Sequence, residues 1–242
     1  MIPKTIHYCW FGHNPMPTSA QMCLASWRKY LPCYEIKEWN EDNFDVNAIS
    51  YTREAYKLKK YAFVSDYVRF WVIYNYGGLY FDTDVEIVRN MEVIIDRGAF
   101  MGMEKNLSSR VNMIVSDVNP GIGIGAPAHL PIYKEVLDYY ESHHFTTWSG
   151  VITDTVVTII SSILSKKEFR YVDGGIMMID DIYIYPTEYF CPKNYFTGEL
   201  NITSDTVSIH HYSASWITPH RSLWRKIKKR ISYIMVRAGI CK

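Results

Sequence analysis

The chain has no Cys-x-x-Cys pair, no uninterrupted apolar stretch long enough to cross a bilayer, and no basic-then-apolar leader at its start. Its five cysteines, Cys9, Cys23, Cys33, Cys191 and Cys241, are odd in number and widely spaced. That argues against a disulfide framework and a structural zinc site, and a reducing compartment is expected. The missing span and leader make secretion unexpected and a cytoplasmic protein the expectation. Charged residues are only 21% against 48% hydrophobic, which excludes the disordered class. Acid is absent from one stretch in particular: Arg221 to Lys242 carries eight Lys/Arg and no Asp or Glu.

What is present fits one large α/β domain with a short appendage in 242 residues. Aromatics reach 15%, with 20 Tyr and 7 Trp, an enrichment that suits stacking on bases and sugars although most such rings fill core or surface. Ile2–Trp10 reads as a first strand, Thr18 or Ser19 to Tyr30 as a helix stopped by Pro32, and Tyr34–Trp39 as a second strand. Apolar residues at helical spacing predict one helix from about Thr52 to Tyr76, ended by Gly77-Gly78. The run Leu79–Val88 (LYFDTDVEIV) then reads as one buried strand. Further on, Ala99–Met103, Ile182–Tyr185 and Thr206–His211 read as strands and Leu130–Tyr140 and Val156–Leu164 as helices. Asn119–Gly125 reads as a glycine-rich turn with a short strand. Alternating strands and helices predict an α/β fold with a mostly parallel central sheet.

Asp82 and Asp84 stand two apart in that strand reading, so both carboxylates leave one face and repel unless a cation lies between them. A hard divalent ion, Mn²⁺ or Mg²⁺, that also takes phosphate oxygens relieves the repulsion. A lone D-x-D is weak evidence, because acidic loops produce it by chance. Upstream, Asp66 and Arg69 lie three apart on one helix face. They are either an intrahelical ion pair or, at a nucleotide-sugar site, an acceptor for sugar hydroxyls and a cation for a diphosphate.

Four blocks together resemble the family 32 glycosyltransferases, the DXD sugar-binding group that is similar to the catalytic domains of clostridial glucosylating toxins. They are Ile2-Pro3-Lys4-Thr5-Ile6-His7 with Trp10, Ala62-x-x-Ser65-Asp66-x-x-Arg69, Tyr74-x-x-Gly77-Gly78-x-Tyr80-x-Asp82-x-Asp84, and Ile209-His210-His211-Tyr212-Ser213-Ala214-Ser215-Trp216. The resemblance implies a single GT-A domain, taken as residues 1–218, that moves a hexose or N-acetylhexosamine from a nucleotide-sugar donor, UDP-linked by expectation, with retention of configuration. It casts Asp66, Arg69, Asp82 and Asp84 as the catalytic set. Trp10 is cast as the ring that stacks on the donor base, with a plain buried tryptophan as the competing reading. Asp82 is assigned to ribose, sugar and metal-bound water, Asp84 to the metal directly, and Ser215 and Trp216 to the diphosphate. In a strand His210 and His211 point to opposite faces, so one of them completes the metal shell; His211 is taken as that one. Between the blocks the family's usual Gly-Pro is replaced by Ser149-Gly150-Val151, which leaves the acceptor open.

Residues 219–242 are expected to form a basic amphipathic helix, with Leu223, Trp224, Ile227, Ile231 and Ile234 on its apolar side. Such a helix suits peripheral attachment to the inner face of an anionic membrane, where a lipid-linked bacterial surface glycan would be the acceptor. Nucleic acid is not an expected partner. Two competing readings remain: a haloacid-dehalogenase-type phosphatase, with Asp180-Asp181 as a later acidic pair, and a non-catalytic sugar-binding module.

Overall fold

Alternate residues of the first strand enter two different cores, Ile6 and Tyr8 one and Cys9 the other, so its sheet lies between two layers. The computed structural model of the chain describes residues 1–108, 113–147, 150–151, 154–167 and 175–213. β1 (Thr5–Cys9) leads to α1 (Thr18–Tyr30), β2 (Glu35–Trp39), α2 (Ser50–Lys57) and α3 (Tyr61–Tyr76). Next come β3 (Gly78–Tyr80), β4 (Val85–Ile87), α4 (Glu92–Arg97), β5 (Ala99–Ser108), β6 (Met113–Ala126) and α5 (Pro131–Glu141). β7 (Thr146–Thr147), β8 (Gly150–Val151), α6 (Val156–Ser165), β9 (Met177–Ile179), β10 (Ile182–Tyr185), α7 (Thr187–Phe190) and β11 (Ser208–His210) complete the described elements.

The central sheet has seven strands in the order β2-β1-β3-β6-β5-β10-β9. Five of them share one direction, and β6 and β9 oppose it, which bears out the expected α/β class and mostly parallel sheet. On one face Val68 and Phe70 of α3, Tyr133 of α5 and Ile160 of α6 pack with Met101, Ile124 and Ile184. On the other, Trp27 of α1 and Phe190 of α7 pack with Phe81, Phe100 and Tyr185. Trp27 is fully buried and donates its indole N–H to the Val85 carbonyl at 2.7 Å, tying α1 to the strand that follows the acidic motif.

Three expectations need correction. The single helix over 52–76 is two helices, because Lys59 takes a left-handed φ of 55° after α2. Its N–H reaches Tyr56 O and that of Lys60 reaches Ala55 O, the paired bonds of a Schellman stop, here built on lysine in place of the usual glycine. The single strand over 79–88 is likewise divided. β3 belongs to the central sheet, whereas β4 pairs antiparallel with β11 in a separate two-stranded sheet. Phe81 to Asp84 are the crossing between them. The Asn119–Gly125 segment is not a turn before a short strand but part of the 14-residue β6. The basic helix expected over 219–242 lies outside the described residues.

Candidate active site

The acidic motif sits where the chain leaves one sheet for another. Gly77 and Gly78 both have positive φ, and a Cβ on Gly78 would stand 2.6 Å from the Thr5 carbonyl, so only glycine lets α3 turn directly into β3 beside β1. After β3, the Asp82 N–H bonds the Gly121 carbonyl at 2.8 Å. Gly121 is available because the β5–β6 register slips: Met101 faces Ile124 but Gly102 faces Asn119, so residues 120–123 leave the β5 ladder. Asn119 Oδ1 holds this excursion by accepting the Gly121 N–H at 2.8 Å. A Cβ on Gly121 would collide with Asp82 Oδ2 and Arg69. Asp82 and Asp84 therefore converge through a turn, and not, as the sequence reading had it, through strand alternation.

Asp66 and Arg69 are both buried in α3, a helix with little solvent-facing surface. The Arg69 guanidinium bonds Asp66 Oδ1 at 3.0 Å and Asp82 Oδ1 at 3.1 Å, and Asp82 Oδ1 also accepts the Tyr80 hydroxyl at 3.0 Å. The intrahelical pair is thus real, and the same arginine extends it across 13 positions to the motif. Its Nη2 serves both carboxylates, and Arg69 itself lines the cleft. Burial raises the Asp66 carboxyl to about 6, with Arg69 opposing the rise. Burial also raises Asp82, against Arg69 and with Asp84 adding to it.

Asp84 is placed differently. Burial alone would raise its pKa, but the His210 ring and the Ser213 N–H outweigh it and hold the carboxyl below its usual range. Ser213 N donates to Oδ2 at 2.8 Å, and His210 Nε2 lies 3.4 Å from Oδ1. The β4–β11 register, which sets His210 opposite Val85, delivers this imidazole beside Asp84. The imidazole expected in the metal shell, His211, points elsewhere: its Nε2 lies 2.8 Å from Glu86 Oε2, and it does not line the cleft. The two histidines do face opposite ways, and it is His210 that faces Asp84. Burial opposes charge on the His210 ring, yet Asp84 raises its pKa well above that of a free imidazole.

These groups line a cleft of about 640 Å³, within the range of small-molecule sites. Trp10 lines it half-buried, its indole N–H bonded to the Asn14 carbonyl at 2.7 Å. Ser215 and Trp216 lie outside the described residues. Carboxylate oxygens with one imidazole form a donor set that fits a hard divalent ion at Asp84 and His210. Glu104, Asn119 and Tyr212 also line the cleft, and the sequence reading missed Glu104 and Tyr212 as site residues. Tyr212 stands beside a recognised histidine pair, whereas no local pattern marks Glu104, which arrives through β5. Asp180 and Asp181 occupy the β9–β10 turn away from the cleft, and Asp180 pairs with Lys167 at 2.7 Å, which removes the acidic pair that the phosphatase reading needs.

Comparison with known proteins finds similarity to glycosyltransferases. Residues 17–101 match the family model described as glycosyltransferase sugar-binding region containing DXD motif. The uncharacterized glycosyltransferase L373 of Acanthamoeba polyphaga mimivirus is 25% identical over 232 residues, 92% of this chain and 86% of the relative. Inositol phosphoceramide mannosyltransferase 3 of Schizosaccharomyces pombe is 24% identical over 148 residues, 60% of this chain but 40% of that larger protein. Among solved structures, a glycosyltransferase involved in the glycosylation of the major capsid of PBCV-1 aligns with 94% of this chain and 99% of its own, at TM-score 0.49 and 11% identity. The PaToxG glycosyltransferase aligns over 68% and 69%, at TM-score 0.48 and 16% identity. The resemblance to the DXD glycosyltransferases and the transferase class are borne out.

Proposed function

We propose that this chain, similar to DXD glycosyltransferases, moves a hexose or N-acetylhexosamine from a nucleotide-sugar donor to a surface-glycan acceptor with the help of Mn²⁺ or Mg²⁺. The observation that carries the reading is the pairing of Asp84 Oδ1 with His210 Nε2, 3.4 Å apart in a cleft that also presents Asp82. Asp84 and His210 would hold the ion. When bound there, the cation supplies positive charge for the nucleoside diphosphate that leaves as the anomeric C–O bond breaks.

The chain's own residues do the rest by position. Arg69 neutralises and fixes Asp82 and Asp66, keeping both carboxylates ready to accept hydrogen bonds from ribose or sugar hydroxyls. Trp10, with its indole N–H anchored to Asn14, offers a ring face for the donor base. UDP is the proposed carrier and retention the proposed outcome. The acceptor is a lipid-linked glycan at the inner membrane face, met by the basic segment 219–242; its eight Lys/Arg without acid support that part of the reading.

The test is hydrolysis and transfer from a panel of UDP- and GDP-sugars with Mn²⁺, comparing wild type with Asp84→Ala. Turnover of one donor that the substitution abolishes supports the proposal. Binding of donors without release of nucleoside diphosphate would favour the non-catalytic sugar-binding module.

A further inference from the structure

The geometry points to Glu104 as a positioning residue that accepts a hydrogen bond from the Nδ1–H of His210 and so reserves Nε2 for an ion beside Asp84. This rests on the reading of Asp84 and His210 as the pair that holds the ion.

A neutral imidazole has one nitrogen that donates and one that accepts, and only the bare nitrogen can take a cation. In His210 the two nitrogens face two different acids: Nε2 lies 3.4 Å from Asp84 Oδ1 and Nδ1 lies 3.6 Å from Glu104 Oε2. Both Nδ1 and Glu104 Oε2 are buried from solvent and lack a hydrogen-bond partner. Two orphaned buried polar atoms facing one another at this distance are a donor and acceptor a few tenths of an ångström from closing. A carboxylate can only accept, so the closed bond keeps a proton on Nδ1, and the nitrogen left for a cation is Nε2, whose proton the ion displaces as it binds beside Asp84. A cation on Nε2 then strengthens the Nδ1–H donor, the usual relation between a metal-bound imidazole and the carboxylate behind it.

The ring cannot easily choose otherwise. Tyr212 packs against it, ring centroids 4.1 Å apart. The Tyr212 hydroxyl is itself 3.0 Å from Cys191 Sγ. Glu104, Cys191 and His210 also place one donor atom each within 4.8 Å of one another, so a softer ion held partly by thiolate is the rival arrangement. Cys191 does not line the cleft, whereas Asp84, Glu104 and His210 do, and that favours an oxygen-rich ion site on the Nε2 side.

The experiment reads the ring and the ion without donor. Protein labelled with ¹⁵N-histidine reports the His210 tautomer in Mg²⁺, and loss of the free Mn²⁺ EPR signal reports affinity in wild type, Glu104→Ala, Glu104→Gln and Asp84→Ala. Expected are a wild-type ring protonated at Nδ1, and a roughly 10- to 100-fold loss of Mn²⁺ affinity in Glu104→Ala. Glu104→Gln, whose side-chain carbonyl still accepts, restores affinity to within a few-fold of wild type. A residue of purely structural importance would lower the melting temperature and leave tautomer and affinity unchanged. An Nε2-protonated ring, wild-type affinity in Glu104→Ala, or no ion uptake by wild type overturns the proposal. So does a Co²⁺ thiolate charge-transfer band that Cys191→Ser removes. If Glu104→Ala does not fold, the wild-type tautomer decides alone. A wild type that binds Mn²⁺ through Asp84 but turns over no sugar nucleotide sinks the transferase reading and leaves this one standing.

Discussion

Arg69 and Asp82 meet at 3.1 Å between the middle of α3 and the crossing from β3 to β4, and the same guanidinium holds Asp66 at 3.0 Å. One buried cation thus serves two carboxylates. Replacing it with methionine leaves both acids without a counter-charge, and breaking a buried pair in this way costs about 3–5 kcal/mol. Arg69→Met is expected to lose that much in urea unfolding at neutral pH. Arg69→Lys keeps the charge but has a single ammonium in place of the fork, so it should fold and lose most of its donor turnover. Wild-type turnover in Arg69→Lys would show that the fork does not set Asp82.

Gly121→Ala tests the same carboxylate from the other side. The added methyl would occupy the space of Asp82 Oδ2 and crowd the Arg69 guanidinium. Gly121 has no unusual φ, so the obstacle is contact alone. Overpacking of this kind costs about 1–3 kcal/mol, which the fold can absorb. The expected result is a folded variant by circular dichroism with donor turnover reduced at least as strongly as in Asp82→Asn. A Gly121→Ala protein with wild-type kinetics would mean that Asp82 can move without consequence.

Much of the fold could be read from residue patterns, because α1, β2, α5, α6 and β10 follow from periodicity and punctuation that are local. What could not be read depended on partners distant in sequence. Lys59 ends α2 in a conformation that carries no sequence mark without glycine. The motif strand divides because Asp82 bonds Gly121 O in place of continuing the ladder, and nothing in LYFDTDVEIV records that. The site followed the same rule. Asp66, Arg69, Asp82 and Asp84 were visible as spaced charges in one stretch of chain. Glu104 was not, since only the β5 register brings it to His210.

The two adjacent histidines should separate cleanly in function. His210 faces Asp84 and the cleft, whereas His211 pairs with Glu86 and is more than a third exposed at its side chain. His210→Ala is expected to abolish Mn²⁺-dependent donor hydrolysis. His211→Ala removes only a solvent-screened contact, worth about 1 kcal/mol or less, and should retain turnover within about two-fold. Titrating Mn²⁺ against both variants distinguishes them, and a reversed pattern would return the ion site to His211.

His7 provides a stability switch away from the cleft. It is 2% exposed, its Nε2 lies 3.0 Å from the Gly77 carbonyl, and its Nδ1 accepts the Trp39 indole N–H at 3.0 Å. Because Nδ1 is used as an acceptor, the folded protein requires the neutral ring, and burial lowers its pKa from 6.5 to about 4. Below pH 6.5 the unfolded chain takes up a proton that the folded chain refuses until about pH 4, so stability falls with acid across that window and is flat above it. The shift corresponds to about 3 kcal/mol. Urea unfolding of wild type and His7→Gln between pH 4 and 8 should give a difference that slopes only below about 6.5. The slope belongs to His7 and not to the acidic cleft if it vanishes in His7→Gln while persisting in Asp84→Ala, since the His7 contacts with Gly77 and Trp39 involve no cleft carboxylate.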